Sequence, residues 1–338
     1  MIVKSILQRK RPRSLYPYFN MAPRLSGQTS KFGVVSFVSM SLLGIERQKK
    51  LKQFAILTRK PRSQLEYCCV ERGLLAEALN NYFINIGPSL AHEMAHSSVS
   101  FESFVKPSHS ESSEFRTVTN ANVQKTLEGR LSPAKATGID NISGKILKVA
   151  ALAISSSLRY IFNHAFISCC FADDWKVARV LPLHKKGPRN LPDNYRPISI
   201  LPAISKITER ILYNQLHNYL SANDILCERQ FVVRRLHSTA SVLLDSTNSW
   251  YLYVDRKMFN LAPFLDLKKA FDTVNHEILL RKMEIYGVTG NALNLMKSYL
   301  TGRKQIRQLN GVSSTENRIG CGIPQGSILG PLFFLLYK

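Results

Sequence analysis

Phe264-Leu265-Asp266-Leu267-Lys268-Lys269-Ala270-Phe271-Asp272-Thr273-Val274-Asn275-His276 is the stretch on which the reading of this chain turns. An apolar run from Leu261 to Leu267 carries one carboxylate near its end. As a strand it alternates, with Phe264 and Asp266 on one face and Leu265 and Leu267 on the other. A single carboxylate then stands at a sheet rim, where a divalent ion and its phosphate would be held. Asp272 precedes Val274, Ile278 and Leu279, apolar at helical steps, and is expected to cap that helix. On these residues alone, a buried strand entering a capped helix explains the pattern as well as a metal site does.

A second stretch weighs the choice: Cys321-Gly322-Ile323-Pro324-Gln325-Gly326-Ser327-Ile328-Leu329-Gly330-Pro331. Glycines flanking Pro324-Gln325 expose backbone and an amide side chain, as close approach to a ribose or base requires. Ser327 is expected to cap the apolar helix that follows. Between the two stretches, Ala292 to Leu300 reads as a helix, and Lys304 to Leu309 alternates into the hairpin turn Asn310-Gly311.

Upstream, Val177 to Leu183 reads as a strand and His184-Lys185-Lys186-Gly187-Pro188 as a basic turn. Asn194-Tyr195-Arg196-Pro197-Ile198-Ser199-Ile200 is the returning strand. That hairpin gathers Lys185, Lys186 and Arg196 on one flap suited to a polyphosphate, and equally to a solvated basic loop. Helices are expected over Leu74 to Ile86, stopping at Gly87-Pro88, then from Asn120 as a candidate cap, over Ile142 to Ala150 and Ile154 to Phe166, over Ile204 to Leu220, and over Ser238 to Trp250. Residues 92–114 read as a linker.

Composition bounds the partners. The 338 residues hold 46 Lys or Arg against 23 acids, a net +23, with 45% hydrophobic content. Such an excess points to an anionic partner, most often nucleic acid. The first 66 residues hold 14 of the basic residues and two acids, Glu46 and Glu66. Arg9-Lys10-Arg11-Pro12-Arg13 reads as a nuclear address, a nucleic-acid arm, a targeting segment, or a plain extension without fixed structure, the last being preferred. Six cysteines without a C-x-x-C indicate neither a zinc site nor a disulfide framework. An intracellular location, nuclear or cytoplasmic, fits. No apolar run reaches the ~18 residues of a spanning helix, so no membrane is expected.

In this order, the two stretches resemble motifs A and B of a reverse transcriptase, of the non-LTR, LINE-type, jockey-like retrotransposon kind. The resemblance covers about residues 75–338 and includes the loop at 131–140, Asn194 to Ser199, Gln230 and His237-Ser238-Thr239. It implies an α+β right-hand polymerase fold, with mostly helical fingers and an incomplete palm bearing a small antiparallel sheet. The division is a basic extension (1–66), a helical segment and linker (67–115), a fingers-like region (116–260) and a partial palm (261–338). It implies Asp266 and the carbonyl of Leu267 as ligands of two Mg²⁺ ions. Phe271 would exclude a 2′-hydroxyl, Gln325 and Gly326 would line the nucleotide pocket, and Arg196 with Lys185 or Lys186 would grip the triphosphate. The implied partners are an RNA template, a DNA primer and deoxynucleoside triphosphates. Asp272 and His276 are assigned to structure.

The sequence departs from the family at three places. The chain stops before the Ala-Asp-Asp hairpin that supplies the remaining metal carboxylates, so apolar surface is expected around Phe333 to Leu336. One carboxylate cannot hold two ions ~3.5–4 Å apart, and this polypeptide is expected to lack polymerase activity alone. Val232-Val233 stand where a Gly-Phe pair is usual, and Pro263 sits in the motif A strand. The endonuclease frequent upstream in the family has no counterpart in residues 1–66. The competing reading is a non-catalytic nucleic-acid-binding remnant. An unrelated α/β enzyme with a lone acidic site is a remote third.

Overall fold

The computed structural model describes residues 69–93, 99–105, 113–132, 134–227, 229–231 and 238–338. The basic extension, Val232-Val233 and His237 lie outside the described residues. The alternating segments form strands, β1 (Val177–His184) and β2 (Tyr195–Ile200), paired antiparallel with Leu183 opposite Arg196. The strand β3 (Lys304–Leu309) runs parallel beside β1, with Val177 opposite Lys304. It turns back through Asn310 and Gly311, both at positive φ (48° and 87°), into β4 (Val312–Ser313). A further strand, β5 (Asn317–Arg318), also pairs antiparallel with β3. The sheet is therefore mixed rather than antiparallel. The long helical connection between β2 and β3 is what lets β3 return parallel to β1.

Helix α1 (Cys69–Glu93) lies against this sheet, packing Leu79, Phe83 and Ile86 with Val180. Its Asn80 amide donates to the carbonyl of Thr315 at 3.0 Å, and Glu77 accepts from the Thr315 amide at 2.8 Å. The expected stop at Gly87-Pro88 does not occur. Pro88 loses one ladder bond, but it lies on the exposed face while Ile86 and Gly87 are buried against other elements, and tertiary packing overrides the local breaker.

The remaining helices are α2 (Asn120–Arg130), α3 (Gly144–Val149), α4 (Ala151–Ile167), α5 (Ala203–Ala222), α6 (Thr239–Asp255), α7 (His276–Ile285), α8 (Gly290–Leu300) and α9 (Gly330–Tyr337). Two caps differ from expectation. Thr119, not Asn120, caps α2 through the Asn122 amide. Asn275, not Asp272, caps α7, its Oδ1 accepting from Glu277 and Ile278 amides at 2.8 and 3.1 Å. Asn275→Ala is accordingly expected to lower stability by about 1 kcal/mol in a urea titration.

One hydrophobic core runs from Val118, just before α2, to Leu336 on α9, drawing on residues before and after 260 alike. Phe333 is fully buried against Tyr299, ring centroids 5.6 Å apart, and Leu335 and Leu336 are buried too. The expected exposure around Phe333 to Leu336 is therefore wrong: α7 and α8 cover that face. The apolar surface lies instead along residues 251–268, all of which are exposed. Leu261 and Leu265 are 94% and 93% accessible. The expected strand from Leu261 to Leu267 does not form. Pro263 offers no amide, and among the described residues no strand comes alongside to make a ladder, without which an extended segment gains nothing.

Candidate functional site

The two signature stretches meet beside the β1–β2 hairpin. The amide of Gly322 donates to the carbonyl of Val274 at 2.7 Å, and that of Ile323 to Phe271 at 2.9 Å. Between these two bonds the Gln325 amide nitrogen donates to both oxygens of Asp272, each at 2.9 Å. Such a contact needs near-touching backbones, and glycines supply it. A Cβ on Gly322 would come within 2.9 Å of the Asp272 carbonyl oxygen, and one on Gly87 within 2.1 Å of the same atom. Helix α1 thus presses on the junction through Gly87. His276 closes it from below, its ring nitrogen 2.7 Å from the Gly322 carbonyl.

Asp272 is neither a helix cap nor a free acid. Burial pushes its carboxyl above the usual range, against the pull of the Gln325 bonds and of Lys269. Burial lowers His276 and raises Cys321, where the charge of Asp272 adds to the effect. Lys269, at φ 53°, reaches back to the flap: its Nζ lies 3.2 Å from the Asp193 carboxylate. Burial opposes the Asp193 charge, yet Lys269 and the Tyr82 hydroxyl hold that carboxyl below its ordinary value.

Phe271 is half-buried and stacks on Phe334 of α9, with centroids 5.2 Å apart and planes 17° from parallel. Gln325 docks on β2, its carbonyl accepting from the Ser199 amide at 2.7 Å, and Gly326 sits exposed at φ 119° against the Ser199 carbonyl. Arg196 lies on the same strand, exposed, three residues away, or about 10 Å along it. Lys185 and Lys186 are exposed at the hairpin end, where Lys185 N donates to Asn194 O at 2.8 Å. The structure thus brings Phe271, Gln325 and Gly326 together beside the strand bearing Arg196. Asp266 and Leu267 are not held there: they lie in the exposed irregular segment.

Behind the Gln325–Leu329 turn lies a set of residues that local pattern did not single out. Glu209 of α5 is fully buried, accepting from the Tyr299 hydroxyl at 3.1 Å and from the Ile328 amide, with the Leu329 amide also bonded to it. Arg303, 1% accessible, lies over the Tyr299 ring at 4.7 Å and donates to the Tyr299 carbonyl at 3.1 Å. Burial raises the Glu209 carboxyl, with Arg303 acting the other way. The amides of Ile328 and Leu329, just before α9, are therefore occupied by a carboxylate and that of Gly330 by the Ser327 hydroxyl, which leaves little of this helix start to hold an anion. Ser327 does serve this end of α9, accepting from the Gly330 amide at 3.0 Å and donating to the Pro324 carbonyl at 2.9 Å. Lys206 and Arg210 of the same helix α5 also line a cavity of about 100 Å³, together with Lys135, Gly326 and Ile328.

The family description "Reverse transcriptase (RNA-dependent DNA polymerase)" matches residues 183–337. Residues 183–337 belong to the reverse transcriptase family. Three relatives come from Drosophila melanogaster. The probable RNA-directed DNA polymerase from transposon BS is 34% identical over 60% of this chain and 22% of its own length. The probable enzyme from transposon X-element is 35% identical over 62% and 23%. The RNA-directed DNA polymerase from mobile element jockey is 31% identical over 63% and 23%. The chain is thus similar to non-LTR, LINE-type reverse transcriptases, and it spans less than a quarter of the length of these curated relatives. Enzymes of this family work with divalent metal ions. Among the described residues no three His, Cys, Asp or Glu side chains gather to hold one, and Asp266 stands exposed and apart. The donor set here does not fit a two-ion centre.

Proposed function

We propose that this chain is the nucleotide-binding part of an RNA-directed DNA polymerase, in which helical fingers and part of a palm receive a deoxynucleoside triphosphate, an RNA template and a DNA primer. The observation that carries the reading is the junction of Phe271, Asp272, Gln325 and Gly326 beside Arg196. Phe271, fixed by Phe334, offers a flat wall suited to rejecting a 2′-hydroxyl. Gln325, fixed by Asp272, and Gly326 offer an amide and bare backbone to the nucleotide. Arg196 with Lys185 or Lys186 supplies the cations for the triphosphate, a role the largely occupied start of α9 leaves to them. The cationic cavity beside Gly326 supports a path for a nucleic-acid backbone.

The proposed Mg²⁺-dependent chemistry needs carboxylates that the described residues do not assemble around Asp266. The chain by itself is therefore expected to give no incorporation above background in primer extension on an RNA template with Mg²⁺. Incorporation that vanishes in Asp266→Ala would overturn that expectation. The alternative, a purely nucleic-acid-binding remnant, is favoured by the net charge of +23. Both readings require RNA binding that weakens steeply with salt, by a log–log slope of about −0.7 per phosphate contacted. Only the polymerase reading requires deoxynucleotide binding that Gln325→Ala weakens.

A further inference from the structure

We propose that Glu209 is a positioning residue for the nucleotide pocket, holding the Gln325–Leu329 turn in shape from the side opposite the nucleotide. The inference rests on the reading of that turn as part of a nucleotide site.

The first amides of a helix have no partner within it. Here Ser327 Oγ satisfies the Gly330 amide, and the amides of Ile328 and Leu329 are left to a side chain from elsewhere. Glu209 reaches them from α5, a different element, so it fixes the distance between that helix and the turn. The other side of the turn is fixed by β2, through Ser199 N on Gln325 O. Gln325 itself is held by Asp272. The pocket loop is therefore gripped at three points, and Glu209 is the grip nearest the helix that carries Phe334 under Phe271. Loss of it leaves two buried donors unsatisfied and lets the turn move relative to Phe271.

Tyr299 provides the control. Its hydroxyl bonds the other carboxylate oxygen and also meets the Ser327 hydroxyl of the turn, so Tyr299→Phe removes one contact from each while leaving the Ile328 and Leu329 amides their acceptor. The test combines hydrogen exchange at the Ile328 and Leu329 amides with binding of dTTP and Mg²⁺ to the full chain. Glu209→Ala is expected to speed exchange at both amides at least tenfold and weaken dTTP at least tenfold. Glu209→Gln, which keeps one acceptor, should fall between, and Tyr299→Phe should stay within twofold of the unaltered chain in both. Unchanged exchange in Glu209→Ala overturns the proposal, as does an equal effect of Tyr299→Phe, which would mark a general loss of stability. Should Glu209→Ala fail to fold, unchanged exchange in Glu209→Gln overturns it alone. An unaltered chain that binds no dTTP, with exchange still faster in Glu209→Ala, would overturn the nucleotide reading instead, and with it the role of Glu209 in positioning a nucleotide pocket.

Discussion

Gly87→Ala is expected to cost about 3 kcal/mol or more, seen as a lowered midpoint in urea or thermal melts, although it improves helix propensity. The residue lies inside α1 at ordinary helical φ, where alanine is worth about 1 kcal/mol over glycine. Against that gain stand two contacts that no real Cβ makes: 2.1 Å to the Asp272 carbonyl oxygen and 2.4 Å to Cys321 Sγ. The first partner is backbone, so it cannot step aside without shifting α1 from the sheet or opening the junction of the two signature stretches. Overpacking of this kind typically costs about 1–3 kcal/mol, and more where backbone must move. Gly129→Ala in α2 is the matched comparison. Nothing lies within 4 Å of its Cβ position, so it should stabilise by roughly 0.5–1 kcal/mol. Equal effects of the two substitutions would remove Gly87 as the contact point.

The same glycine marks where sequence reasoning stops. Gly87-Pro88 reads locally as a helix stop, and only the arrival of Asp272 and Cys321, far along the chain, explains why the helix continues and why the glycine is needed. Features set by near neighbours were legible. The Asn310-Gly311 turn, the β1–β2 hairpin and the buried Val123 and Leu127 of α2 all follow from local pattern. Motif A was not legible as structure, because a strand exists only with a partner, and Leu261 to Leu267 has none among the described residues. Its tail misled in a different way: Asp272 and Asn275 are both good caps, and the deciding fact was that Gln325 holds Asp272 elsewhere. Glu209 was hidden by its helix. Ile207, Ile211 and Leu212 define one apolar stripe, which leaves position 209 apparently outside. It is buried because the turn before α9 encloses α5 on a second side.

Arg303→Met should destabilise the fold by roughly 1–3 kcal/mol at neutral pH, and by less in acid. The substitution keeps most of the volume but removes the nearby cation whose charge favours the buried Glu209 carboxylate, without a direct ion pair between the two. The pH dependence follows from the direction of the shifts. Burial holds the folded Glu209 carboxyl above its unfolded value of about 4.3. A group raised in this way contributes its full stability below the unfolded value and loses it as pH rises through the folded one. Arg303 pulls the Glu209 value down, so its removal pushes that value further up and widens the deficit as pH increases. His276 acts in the same direction. Burial, and then Arg303, lower its folded value, so removing the cation eases protonation of His276 and recovers stability below about pH 6.5. Urea titrations of the variant and the unaltered chain at pH 5 and pH 8 should therefore diverge more at pH 8. An equal deficit at both would show that Arg303 acts through packing on Tyr299 rather than through the charge it sets beside Glu209.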